Sequence, residues 1–76
     1  MNAILAIRTR LEMTQAAFGQ GIGVSQGNVS FYEKGQTVPP DVARRVIDLA
    51  ATRGLALSFD HIYGEQSLPD IEPKAA

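Results

Sequence analysis

A glycine and a serine two residues apart, in Gly23-Val24-Ser25, leave the middle of this chain little conformational choice. Glycine adopts the left-handed conformation that ends many helices without a Cβ clash. A serine hydroxyl accepts a free N–H in the first turn of the helix that follows it. A helix stop placed so close to a helix start predicts two helices joined by a turn of three or four residues. The flanking residues agree. Thr14 is a suitable N-cap for a helix through Gln15, Ala16, Ala17, Phe18 and Ile22, with Phe18 and Ile22 four apart on its inner face. After Ser25, Val29 and Tyr32 are three apart and point inward over a helix from Gln26 to Lys34, which Gly35 ends.

The remaining segments are also helical and short. Ile4, Ile7 and Leu11 form one face of a first helix that stops near Glu12. After the loop QTVPP, Val42, Val46, Leu49 and Ala50 make an i, i+4, i+7, i+8 stripe that starts at two prolines and closes at Gly54. Residues 55–59, LALSF, admit two readings. They alternate as an extended edge would, or Ser58 caps a last turn through Phe59, Ile62 and Tyr63 up to Gly64. Residues 65–76 are polar, acidic and broken twice by proline, and are expected to be a disordered tail on a domain spanning residues 1–64. No internal repeat is present.

Composition excludes several functional classes. With 76 residues and no cysteine, the chain must fold by packing one small core, without disulfides or a thiolate metal site. A single histidine, His61, cannot assemble a metal cluster, and no metal or other cofactor is expected. No apolar run approaches the roughly 20 residues that span a membrane, and charges interrupt the N-terminus where a signal peptide needs its apolar region. A cytoplasmic, soluble protein is expected. The net charge of −1 is uneven. Residues 1–59 hold six basic against four acidic side chains, +2, and residues 60–76 hold one against four, −3.

The stretch GIGVSQGNVS, residues 21–30, matches fragments of three motifs. Its GVSQG fits the G-x-S-x-G nucleophile elbow of serine hydrolases, but that elbow needs a preceding strand and a large α/β sheet, and this chain is too short for one. His61 beside Asp60 reads as a partly exposed residue at a helix end rather than as a catalytic base. A dinucleotide loop needs a third glycine where Gln26 stands, and the Lys-Ser/Thr pair of a phosphate loop is absent. The turn of a DNA-reading motif fits the spacing best. The chain is therefore not expected to be an enzyme or to bind a small-molecule ligand.

Thr14-Gln15-Ala16-Ala17-Phe18-Gly19, Gly23-Val24-Ser25, Val29-Ser30 and Tyr32-Glu33-Lys34-Gly35 together resemble the helix-turn-helix of the Cro/cI-type (XRE-type) repressor family, which is prokaryotic or phage-borne. The resemblance spans residues 4–63. It implies an all-α, compact four- to five-helix lambda-repressor-like domain, with Gly19 at the crossing of the two helices, Gly23 in the turn, Ser25 as cap and Val29 in the core. It also implies an internal ion pair between Arg8 and Glu33.

In function, the resemblance implies sequence-specific binding of double-stranded DNA by a transcriptional regulator, a repressor, acting as a homodimer on a near-palindromic operator. The helix at 26–34 enters the major groove, with Gln26, Gly27, Asn28, Ser30 and Phe31 toward the bases. Gln15, Arg10, Lys34 and Arg44 are the phosphate candidates, and the apolar residues 55–63 either form the candidate dimer interface or close the core of so small a domain. The alternative is a helix-turn-helix module that binds protein, such as an antitoxin. Two departures stand out. Gly19 and Gly21 weaken the second helix unless close packing compensates. The QTVPP loop lacks the cations that some relatives aim at phosphates, leaving backbone amides at the start of the fourth helix for that role.

Overall fold

A computed structural model describes residues 2–64 and Leu68. Five helices follow in order: α1 (Ala3–Arg10), α2 (Gln15–Ile22), α3 (Gln26–Glu33), α4 (Pro40–Thr52) and α5 (Phe59–Tyr63). Among the described residues there is no strand, so the architecture is all-α. Of the segment 65–76, all but Leu68 lies outside the described residues, and Leu68 packs half-buried against the core.

Each helix begins and ends where local chemistry requires. Asn2 Oδ1 accepts the N–H groups of Ile4 at 2.8 Å and Leu5 at 3.3 Å, capping α1. Thr14 accepts from Ala17 N, and Ser25 from Asn28 N, each at 3.1 Å, so α2 and α3 start on side-chain oxygens as their sequences predict. α4 starts without a side-chain cap, on Pro39 and Pro40, whose missing N–H groups need no partner there. At the C-termini, Gly35 and Gly54 take φ of 110° and 83°. Beyond them the N–H of Gln36 returns to the Phe31 carbonyl and that of Leu55 to the Ala50 carbonyl. α1 ends the same way, but on Glu12, which takes φ 56° without being glycine.

The apolar stripes meet in one core. Ile4 and Ile7 of α1, Phe18 and Ile22 of α2, Val29 and Tyr32 of α3, and Val42, Val46 and Ala50 of α4 are all buried. Burying each of the larger side chains stabilises the fold by about 1.5–3 kcal/mol. α2 packs against α3 and α4, and α1 against α3 and α5, which leaves one long face of α3 uncovered.

The C-terminal segment departs from part of the sequence reading. Residues 55–58 form no extended edge, and Ser58 precedes the short helix α5. Leu55 and Ile62 close the core, at 0% and 8% exposure, so neither lines an outer interface. His61 is buried rather than partly exposed, because its Nδ1 accepts the Ser58 backbone N–H at 2.8 Å and draws the ring over the start of α5. Phe59 and Tyr63 turn outward and stack, with centroids 6.3 Å apart. Tyr63 OH donates to the Val38 carbonyl and so ties α5 to the loop before α4.

Candidate nucleic-acid interface

The α2–turn–α3 unit depends on how closely its two helices approach. A methyl group at Gly19 would lie 2.8 Å from the Val24 carbonyl oxygen and 3.2 Å from that of Ser25. The turn backbone thus rests directly on α2, and only a hydrogen fits at position 19. Gly23 takes φ 76°, and the N–H of Val24 returns to the Gly19 carbonyl at 2.9 Å. Arg45 of α4, which has no spacing signal in the sequence, reaches this turn, with Nη1 3.5 Å from the Ile22 carbonyl. It supplies the positive charge favoured at a helix C-terminus where the last turn of α2 has no base of its own.

The other end of α3 is held by charge. Arg8 Nε donates to Glu33 Oε2 at 2.5 Å and Nη2 to Oε1 at 3.2 Å, a two-pronged pair, while Nη1 donates to the Met13 carbonyl at 2.9 Å. Gln15 Nε2 donates to the same Glu33 Oε1 at 3.1 Å. Three helices therefore converge on one carboxylate. The pair is largely enclosed, with side-chain exposures of 19% for Arg8 and 9% for Glu33. The hydrogen bond from Arg8 holds the Glu33 carboxyl below its ordinary value of 4.5 against the opposing effect of burial, and the Gln15 bond and the guanidinium charge add to the lowering. The same bond raises Arg8.

The residues expected at bases share the uncovered side of α3. Gln26, Gly27, Asn28 and Phe31 are exposed, Phe31 to 52%, and Ser30 is half-buried. Lys34 Nζ stands 5.9 Å over the Phe31 ring. Because Glu33 is turned inward and neutralised by Arg8, the outer face of α3 carries no carboxylate, and Lys34 just past its end adds a cation.

The expected phosphate residues are more scattered. Gln15 is half-buried and directs its amide nitrogen to Glu33. Arg10 is half-buried on α1 and Lys34 fully exposed. Arg44 faces solvent beside Asp48 of its own helix at 3.4 Å, an exposed pair of little energetic weight. The start of α4 is a poorer anion site than its position suggests. Pro40 has no N–H to offer, and the exposed Asp41 carboxylate repels a phosphate there.

Among the described residues no three His, Cys, Asp or Glu side chains gather to hold a metal, and no helix is long and apolar enough to cross a membrane. Neither curated proteins nor solved structures include a match to the chain. A family model described as the RsaL-like HTH domain matches residues 5–49, more than half of the sequence, from the first turns of α1 through Leu49 of α4. With Gly19 seated on the turn and α3 held between its two ends, the chain belongs to the RsaL-like HTH domain family and is a helix-turn-helix DNA-binding domain.

Proposed function

We propose that this protein is a sequence-specific regulator of transcription, a Cro/cI-like repressor, that inserts α3 into the major groove of double-stranded DNA and performs no catalysis. The observation that carries this reading is the outer face of α3, free of carboxylate and left uncovered by the fold. A groove flanked by phosphates repels acidic side chains and accepts such a face. Gln26 and Asn28 can each donate to and accept from the N6/N7 edge of adenine, and Phe31 suits a thymine methyl. Lys34, Gln15, Arg10 and Arg44 are assigned to the phosphates. Ser25 is assigned to capping rather than catalysis, its hydroxyl accepting the Asn28 N–H.

Selection of bound sequences from a random duplex library, followed by binding measured across salt concentrations, tests the reading. Gln26→Ala is expected to reduce the preference for the selected site over random duplex by about 1–3 kcal/mol. Lys34→Ala should weaken both alike and lower the salt slope by about one. Absence of salt-dependent duplex binding by the wild-type protein defeats the proposal.

The regulator is further proposed to act as a homodimer, since two half-sites about one helical turn apart suit a two-fold protein. Within residues 55–63, the large apolar side chains exposed for this contact are Phe59 and Tyr63, with Leu57 half-buried. The same stacked pair favours one other reading, a helix-turn-helix module that binds protein, as an antitoxin does. Capture of a partner chain by a protein that leaves every duplex free would select that reading.

A further inference from the structure

Seven glycines occur in the chain, and six have a reason inside the fold. Gly23, Gly35 and Gly54 take positive φ. A methyl group at Gly19 or Gly64 would come within 2.8 Å of a backbone carbonyl oxygen, and one at Gly21 within 3.0 Å of Leu49. Gly27 differs. It lies in the first turn of α3 outside the positive-φ region, and the nearest atom to a methyl group there would be Ser25 Oγ at 3.8 Å, an ordinary contact. The fold would accept alanine, which restricts the unfolded chain and favours the helix. This glycine therefore works against the stability of the free protein.

What Gly27 provides is open space, where any other residue would carry a Cβ, on the exposed face of α3. Residues three and four further along a helix are its neighbours, here Ser30 and Phe31. The exposed Phe31 ring, with Lys34 Nζ 5.9 Å from its centroid, lies one turn further along the same helix. In the major groove the apolar group that base edges present is the C5-methyl of thymine. We infer that the space left open at Gly27, one turn before the exposed Phe31, receives a thymine methyl and makes Gly27 a specificity-determining position. The inference rests on the DNA-binding reading proposed above. A Cβ at position 27 would fill the space the methyl group enters, whereas Phe31 alone offers a surface without a recess.

The test uses the full chain, Gly27→Ala, and a duplex selected by the wild-type protein. The variant should melt about 2–6 °C higher, the gain expected of a compatible glycine-to-alanine change in a chain of this size. Its affinity for the selected duplex should fall about tenfold, within the usual cost of one mismatched base pair, while random duplex is bound as before. Replacing thymidines singly by deoxyuridine should reveal one position where loss of the methyl weakens wild-type binding about fourfold, the worth of one buried methylene-sized group. At that position the variant should be indifferent. A destabilised variant, an unchanged affinity, or a duplex in which no thymine methyl matters overturns the inference while leaving DNA binding standing. A wild-type protein that binds no duplex removes both.

Discussion

Leu49 of α4 covers Gly21 of α2 so closely that a methyl group on the glycine would lie 3.0 Å from its Cδ2 and 3.3 Å from its Cδ1. The glycine that weakens α2 as an isolated helix is thus what lets α4 pack down on it. Leu49 is half-buried and its methyls end a flexible side chain, so it can retreat at a cost. Gly21→Ala alone should change stability by less than about 0.5 kcal/mol, because the helix gain and the crowding offset each other. In a Leu49→Ala background the same change should stabilise by about 0.5–1 kcal/mol. Urea unfolding of the four proteins measures the coupling, and additivity would rule out the contact.

Gly19 has no such tolerance, because its neighbour is backbone. Alanine there must push away the Val24 and Ser25 carbonyls that define the turn. A loss of about 2–3 kcal/mol is expected from overpacking against a rigid partner. Thermal unfolding checks the value, and a neutral substitution would contradict the close approach of α2 to the turn.

Glu33 links stability to acidity. Its folded carboxyl is held below the ordinary 4.5, so the ion pair contributes fully above that value and is lost as pH falls through the lowered folded one. Arg8, raised, stays charged throughout this range. Glu33→Ala should cost about 3 kcal/mol at neutral pH by leaving an enclosed guanidinium unpaired. Glu33→Gln should flatten the acid limb of the stability curve. A curve from pH 4.5 downward that is unchanged in the Gln variant would show that the carboxylate contributes nothing.

Glu12 ends α1 in the left-handed region, φ 56°, where glycine is unstrained. Glu12→Gly should therefore stabilise the protein by about 0.5–1 kcal/mol, an unusual sign for a change to glycine. Its urea midpoint should rise with an unchanged slope; a fall would mean the side chain earns its place through a contact.

Much of this fold was legible in the sequence because its punctuation is local. Thr14, Ser25, Gly23, Gly35 and Gly54 each act within a few residues of themselves, and the apolar stripes of α2, α3 and α4 follow helical spacing. What stayed hidden depends on contacts distant along the chain. Gly21 acquires its meaning from Leu49, Arg45 from the Ile22 carbonyl, and Tyr63 from the Val38 carbonyl. The 55–63 segment was ambiguous because Leu55, Leu57 and Phe59 alternate, yet Leu55 follows Gly54 into the core as the C-terminal wrap of α4 while Phe59 begins a new helix. Asn2, by contrast, signals its N-cap by residue type alone, the Oδ1 accepting from Ile4 N–H.

For the proposed site, the sequence supplied the order of residues along α3 but not their commitments. Gln15 signals a phosphate contact by its place at the start of α2, but its bond to Glu33, eighteen residues on, appears only in the fold. The exposed face of α3 follows from Val29 and Tyr32 being inside, which spacing alone predicts.

The two anchors of α3, the Gly19 contact at its start and the Arg8–Gln15–Glu33 cluster at its end, together fix the roll of the helix about its own axis. An eight-residue helix clamped at both ends cannot rotate to suit a new surface. Its orientation is set during folding, so ordering it adds little to the entropic cost of association. The same clamp separates framework from message. On the proposed reading, the residues at the exposed positions 26, 27, 28 and 31 can be exchanged without disturbing the parts that aim them, so a lineage could acquire a new target through very few substitutions and keep one scaffold.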